Sequence, residues 1–146
     1  MTWTVPMTPT APDSAPALVL VAHGSRDPRA LSTVRALAER VRRQRPGLSV
    51  HLGHIELNEP LLPDTLAALG DREAVLVPLL LSRGYHVKRD IPEIAAGSRV
   101  RARVAAPLGP HPLLVDVLHE RLAQAGWRVP ATGAERAASA VVLAAA

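Results

Sequence analysis

Short apolar runs alternate with segments of helical periodicity along most of this chain. The run Ala17–Ala22 is continuously apolar, which is typical of a strand buried on both faces of a parallel sheet. A helix is predicted soon after it, because Asp27 is a good N-cap and Pro28 suits the first helical position. The apolar residues that follow have helical spacing: Leu31, Val34, Leu37, Ala38 and Val41. The ordered part of the chain is therefore expected to begin as strand, turn and helix.

The same alternation continues to about residue 126. The further predicted elements are strands at 48–52, 74–81 and 100–105 and helices at 60–69, from Asp90 onward, and at 112–125. Proline cannot donate to a strand ladder, so Pro78 is expected near the end of its strand or at a local irregularity. Alternating β and α elements predict an α/β fold with three layers, in which a mostly parallel sheet carries helices on both faces.

The two ends of the chain lack this alternation. The predicted organisation is a disordered lead-in at 1–16, one compact domain at 17–126, a linker at 127–139 and a final segment at 140–146. That final segment aligns without gaps with residues 17–23. It is interpreted either as the first strand of a truncated second copy, with Ala146 in the place of His23, or as an alanine-rich fifth strand or frayed tail.

Composition excludes several classes of protein and site. The chain has no cysteine, which rules out disulfides and thiolate metal sites, so a metal would have nitrogen and oxygen ligands. The longest apolar stretch is far shorter than the ~20 residues of a membrane span, and no secretory signal is evident, which makes the cytoplasm the expected location with no membrane partner. A net charge of +4 favours acidic partners, but only 2% of the residues are aromatic, which argues against nucleic acid.

Three side chains that can carry chemistry follow the predicted strands. His23 ends the first strand, Glu56 ends the second, and His86 lies in the loop after the third. Ligands of open parallel sheets bind outside the carboxyl ends of the strands, so these residues are expected to converge on one cleft. Each alone could be an ordinary loop residue or turn cap. Together they suit a divalent metal with open coordination positions (Co²⁺, Fe²⁺, Ni²⁺ or Zn²⁺) and a carboxylate that accepts protons.

The sequence around these residues resembles a known family. The segments LVLVAHGSRDPRA, HIELNEPLLPDTL and VLVPLLLSRGYHVKRDIP are similar to the class II chelatases that act on sirohydrochlorin, namely the cobaltochelatases of cobalamin synthesis and the ferrochelatases of siroheme synthesis. The resemblance runs from residue 17 to about residue 94 and, more weakly, to residue 126.

The resemblance implies a chelatase-type α/β fold and a lyase that inserts Co²⁺ or Fe²⁺ into an acidic tetrapyrrole without an organic cofactor. It assigns the metal to His23 and His86 and the acidic position to Glu56. Members of similar length pair as homodimers and longer members carry two such domains, so either a homodimer or a missing second domain is implied. Arg26, Arg83, Lys88 and Arg89 lie close to the histidines in sequence. With helix N-termini they could bind the substrate carboxylates, or they could form a solvated rim.

One position departs from the family pattern. The family commonly has phenylalanine two residues before the acidic position, where this chain has His54. Period-two alternation would place His54 on the same face as Glu56. His54 is therefore either a third histidine of the site or a tolerated polar substitution, and the preference for one metal over another depends on which.

Other functions are weighed against the chelatase. Histidine phosphatases carry an arginine directly before the His-Gly pair, where this chain has Ala22, and Ser25 lacks the GxSxG turn of hydrolases. A carrier that binds metal or tetrapyrrole in the same cleft without turnover, or an inactive half of a two-domain chelatase, is the alternative that the residues leave open.

Overall fold

The computed structural model describes residues 15–81 and 84–144, without the side chains of His86 and Val87. Most of the predicted lead-in at 1–16 lies outside the described residues, and so do Arg83 and Ala146. The described elements, in chain order, are β1 (Ala17–Ala22), α1 (Pro28–Gln44), β2 (Val50–His54), α2 (Leu62–Leu69), β3 (Glu73–Pro78), a π-helical turn (His86–Asp90), α3 (Ile91–Ala96), β4 (Arg101–Val104), α4 (Pro112–Gln124) and α5 (Gly133–Ala137).

The four strands form one parallel sheet in the order β2-β1-β3-β4. The sheet lies in the first of two compact units, which ends at Pro110, and the second unit begins at His111 with α4. The predicted α/β class and the parallel sheet are confirmed. None of the described helices is both long enough and apolar enough to cross a membrane.

The sheet has an apolar core on each face, because successive side chains of a buried strand point to opposite sides. On one face, Val19 and Val21 of β1 pack with buried residues of β3, α2 and α3, among them Leu66. On the other face, Leu20 packs with Ala38 of α1. Helices therefore cover both faces, as the three-layer prediction required.

The start of α1 follows the predicted capping. Oδ1 of Asp27 accepts a hydrogen bond from the backbone N–H of Arg29 at 2.9 Å, and Pro28 occupies the first helical position. Pro78 is the last residue of β3, as its missing N–H predicted. Both predictions succeed because a single residue type decides the local backbone.

β2 is an edge strand whose backbone is partly covered by side chains. The guanidinium of Arg42 donates to the carbonyl of Val50 from Nε at 3.1 Å and from Nη2 at 2.6 Å. Oγ1 of Thr65 donates to the carbonyl of Leu52 at 2.9 Å. These bonds occupy acceptors that an exposed edge would otherwise offer to another strand.

The second strand was predicted two residues too early. The alternation at 48–52 suggested its limits, but the strand runs from Val50 to His54, because pairing with β1 sets its register. Leu18 is opposite Val50, and Ala22 is opposite His54. Glu56 therefore follows the strand instead of ending it.

The segment predicted as a linker at 127–139 has local structure of its own, and its role as a linker stays a prediction. It contains the short helix α5, which begins with a capping box: Oγ1 of Thr132 accepts from the N–H of Glu135, and the Glu135 carboxylate accepts from the N–H of Thr132. Residues 140–144 lie in no strand. Their interpretation as the start of a second copy stays a prediction.

Leu66→Ala is expected to lower the free energy of unfolding by about 2–5 kcal/mol, because it removes a fully buried side chain from the core under α2. Leu37→Ala is the matched control on α1, where the leucine is 40% exposed, and its cost should be below about 1 kcal/mol. Urea denaturation measures both. Equal losses for the two variants would contradict this assignment of the core.

Stability should fall in mildly acidic solution partly through His51. Burial, then the charges of Arg72 and Arg42, lower the pKa of His51 in the folded protein. The unfolded chain therefore takes up this proton first, and the contribution to stability is lost as the pH falls below about 6.5. His51→Asn should flatten this part of the stability profile, measured by thermal unfolding between about pH 5 and about pH 8. An unchanged slope in the variant would count against the assignment.

Candidate functional site

The predicted site residues follow three of the parallel strands, and the segments of His23 and Glu56 meet at the carboxyl edge of the sheet. His23 follows β1 directly, Glu56 lies just beyond β2, and His86 opens the π-helical turn after β3. β1 lies between β2 and β3 in the sheet. The side chain of His86 lies outside the described parts, so its convergence with His23 and Glu56 stays a prediction.

His23 and Glu56 are held side by side by backbone pairing that continues past the strand ends. The N–H of Ile55 donates to the carbonyl of Ala22 at 2.9 Å, and the N–H of Glu56 donates to the carbonyl of His23 at 3.0 Å. Nδ1 of His23 lies 3.6 Å from Oε1 of Glu56, and the two side chains are 39% and 52% exposed. An imidazole and a carboxylate are therefore adjacent and accessible to solvent.

The Nδ1 side of the His23 ring faces two hydrogen-bond acceptors. Nδ1 faces the Glu56 carboxylate and lies 3.4 Å from the carbonyl of Gly24, and both groups are hydrogen-bond acceptors. A neutral His23 ring with its hydrogen on Nδ1 would have its lone pair on Nε2. A carboxylate that accepts from one ring nitrogen is the usual partner of a histidine that binds metal through the other.

Two tight turns lock the loops that carry His23 and Glu56. Gly24 has a φ of +105°, and a Cβ at this position would lie 1.8 Å from the carbonyl oxygen of Glu56. Oδ1 of Asn58 accepts from the N–H of Ser25 at 2.6 Å, which ties the second loop to the first. Leu57, which lies between Glu56 and Asn58, adopts a φ of 65°, which is rare for a residue with a branched side chain.

Sequence reasoning missed the roles of Gly24 and Asn58. The glycine directly after His23 was a signal for a close approach of two backbones, and an asparagine in a turn was a signal for a side-chain link to backbone. The positive φ of Leu57 had no such signal.

His54 does not share the environment of Glu56, and the prediction from alternation is wrong on this point. The strand ends at His54, so the period-two pattern does not reach Glu56. His54 is 1% exposed, and its ring is hydrogen-bonded through Nδ1 to the carbonyl of Pro60 at 3.1 Å. His54 and His23 nevertheless both line a cavity of about 160 Å³ at the N-terminal end of α1.

The predicted basic residues differ in their surroundings. Arg26 and Lys88 are exposed beside the histidine segments. Nε of Arg89 donates to the carboxylate of Glu93 at 3.1 Å, so this guanidinium already has an acidic partner. Arg83 lies outside the described residues. The structure therefore leaves their predicted role in binding substrate untested.

The first turn of α1 already has an acidic partner within the chain. The carboxylate of Asp27 occupies its first turn and pairs with Arg29 at 2.7 Å. The side chain of Arg29, and then its backbone N–H, hold the pKa of Asp27 below its usual value. A second anion would meet this negative charge.

Two further facts bear on ligand binding. Within the described parts of the chain, no three or more histidine, aspartate or glutamate side chains form a group able to hold a metal ion. A larger cavity of about 640 Å³ lies along the β2 edge, between α1 and α2, and contains none of the predicted site residues. Its lining mixes both charges: Arg35, Glu39, Arg42, His51 and Asp64.

These features define an α/β protein with imidazole and carboxylate groups at the carboxyl edge of a parallel sheet. Residues 17–125 match the CbiX family, and the chain belongs to this family. The predicted resemblance to the sirohydrochlorin chelatases is thereby confirmed at the level of the family.

Individual relatives agree with this assignment. A sirohydrochlorin cobaltochelatase of Methanococcus aeolicus is 41% identical over 81 residues, which are 53% of this chain and 57% of that protein. One of Sulfolobus acidocaldarius is 37% identical over 113 residues, with 74% and 90% of the two chains covered. The structure of the sirohydrochlorin chelatase SirB from Bacillus subtilis subspecies spizizenii in complex with cobalt has a TM-score of 0.65 and 27% identity, covering 74% of this chain and 50% of that one. This chain thus spans just over half the length of the first curated relatives it matches.

Gly24→Ala is expected to destabilise the fold and to move the loop of Glu56. The positive φ alone costs about 1–2 kcal/mol for a residue with a Cβ, and the contact with the Glu56 carbonyl adds to it. Gly47→Ala is the control, because nothing lies within 4 Å of a Cβ there. Chemical denaturation gives the stabilities, and backbone amide shifts report the movement. A Gly24→Ala variant as stable as Gly47→Ala, with unshifted amides at 55–58, would show that the two loops are not in close contact.

Proposed function

We propose that this protein is a sirohydrochlorin chelatase, an enzyme of the lyase class that inserts Co²⁺ or Fe²⁺ into the macrocycle. The observation that carries the proposal is the pair of His23 and Glu56, 3.6 Å apart and half-exposed at the strand ends. Membership of the CbiX family supports it. The relatives named as cobaltochelatases favour cobalt.

His23 and His86 are the proposed metal ligands. Neutral imidazole binds Co²⁺ and Fe²⁺ well, and two protein ligands leave several positions for water or pyrrole nitrogens. Exchange of ligands is what a transfer reaction needs, because the metal must leave the protein for the macrocycle. The exposure of His23 suits this exchange, since an incoming substrate can reach the metal.

Glu56 is the proposed proton acceptor. Two pyrrole N–H protons must leave when a divalent metal enters the macrocycle, and a positioned carboxylate can accept them one after the other and release each to solvent. The carboxylate lies on the Nδ1 side of His23, away from the lone pair on Nε2. The carboxylate can therefore accept protons from the substrate without coordinating the metal.

Arg26, Arg83, Lys88 and Arg89 are the proposed contacts for the carboxylates of sirohydrochlorin. Arg26 and Lys88 are exposed at the edge of the site, as charge recognition requires. A second copy of this chain, or a second domain of the same kind, is proposed to cover the other side of the macrocycle. The same proposal places the protein in the cytoplasm, in the synthesis of cobalamin or siroheme.

Metallation followed by absorbance tests the proposal. Purified protein, sirohydrochlorin and Co²⁺ are mixed without oxygen, and the spectral change gives the rate of insertion above the uncatalysed rate. Glu56→Gln should keep metal binding while the rate falls by about 10²- to 10⁴-fold, because the amide cannot accept a proton. His23→Ala and His86→Ala should each lose metal binding as well as rate.

His119→Ala is the control for these variants, because His119 contacts Trp127 on the second unit and has no role in the proposed chemistry. If both His23→Ala and His86→Ala metallate as fast as the parent, the metal site is wrong. A parent protein that binds one equivalent of metal or macrocycle, but leaves insertion at the uncatalysed rate, would be a carrier and would refute the enzyme.

A further inference from the structure

His54 has a buried ring nitrogen without a partner. The residue is 1% exposed, and its Nε2 makes no hydrogen bond to any residue that the structure describes. A buried polar atom without a partner destabilises the fold, because its desolvation is not compensated. A fold keeps such a group where something other than the protein binds to it, and the candidates for an imidazole nitrogen are water and a metal ion.

The hydrogen bond at Nδ1 of His54 determines whether Nε2 carries a hydrogen or a lone pair. Both the backbone N–H and Nδ1 of His54 point to the carbonyl oxygen of Pro60, at 2.9 and 3.1 Å. A carbonyl only accepts, so the hydrogen of the neutral ring lies on Nδ1 and the lone pair lies on Nε2. Metal-binding histidines characteristically donate their second N–H to a backbone carbonyl in this way, which fixes the direction of the lone pair.

His54 and His23 both line the cavity of about 160 Å³. Ala22 and His54 are direct neighbours on adjacent strands, about 4.8 Å apart, and His23 is the next residue along β1. Apolar residues of α1 and of the segment after β3 form much of the wall, including Leu31, Val34 and Leu79. The space is large enough for an ion with water, which needs only about 10–15 Å³ for each water centre.

We propose that Nε2 of His54 is a further metal ligand, which gives the divalent metal an inner position behind His23 before it passes to the macrocycle. This inference rests on the proposed function, because it assumes that metal reaches His23. Imidazole suits the same ions at both positions, and water fills the coordination sites that the protein leaves open. The inner position is poor in ligands, so it holds the metal weakly enough to release it.

Zn²⁺ is the probe for the test, because it binds imidazole without broadening nuclear magnetic resonance signals by paramagnetism. The protein is labelled with nitrogen-15 at its six histidines, and the ring nitrogen shifts are followed as Zn²⁺ is added. The expected result is that Nε2 of His54 shifts together with Nε2 of His23 over the first equivalent. A shift at His23 with none at His54 overturns this inference and leaves the proposed function standing. Unchanged signals from both residues, and from His86, overturn both.

The affinity of a His54 variant for Zn²⁺ provides a second test of this inference. His54→Asn keeps a donor for the Pro60 carbonyl but removes the lone pair, and it should weaken Zn²⁺ binding by about 10- to 100-fold. His51→Asn is the matched control on the same strand, because Nε2 of His51 is already paired with Ser49 and should leave affinity unchanged. Equal affinity of His54→Asn and the parent would show that only water binds there. Should His54→Asn fail to fold, the titration of the labelled parent decides.

Discussion

The hydrogen-bonded pairing of β1 with the strands on both sides is the constraint on which the rest of the structure depends. β1 is buried on both faces and bonded along both edges, so its position is fixed by backbone groups that have no alternative partner in the interior. The pairing does not stop at the strand ends. The bonds from Ile55 to Ala22 and from Glu56 to His23 continue it into the loops. The candidate side chains of His23 and Glu56 are thus placed by backbone hydrogen bonds.

The close approach of the two loops combines a rigid backbone with accessible side chains. Gly24 brings its backbone against the Glu56 carbonyl, and Asn58 ties the loops through Ser25. A larger residue at Gly24 would push the loops apart. The imidazole of His23 and the carboxylate of Glu56 still face solvent, so ligands and protons can exchange without unfolding. In the proposed reaction, metal and protons must enter and leave. A rigid backbone with exposed side chains suits this better than a buried, fully coordinated site.

Features that depend on a single residue type, such as a helix start or a strand end, were predictable from the sequence. Features that depend on pairing between distant strands were not. Asp27 with Pro28 defines a helix start locally, and Pro78 ends its strand because it lacks an N–H. The limits of β2 and the buried position of His54 depend on β1, more than thirty residues earlier, and alternation within the segment carries no information about that register. The positions of the site segments followed from parallel topology alone. Their contacts required the positive φ at Gly24, whose partner the sequence does not reveal.

The basic side chains of this protein differ in how readily they are available to a ligand. Arg29, Arg42 and Arg89 already have acidic partners within a few residues of each, so the count of 17 lysine and arginine residues overstates the positive groups offered to a ligand. The pair of Arg89 with Glu93 is exposed at both ends, and such surface pairs contribute only about 0–1 kcal/mol. Replacing Glu93 by a substrate carboxylate as the partner of Arg89 therefore costs little free energy. The pairing of Asp27 with Arg29 is different, because it also caps α1, and breaking it would expose the start of the helix as well. In the proposed function, an acidic substrate would therefore recruit Arg89 and leave Arg29 in place.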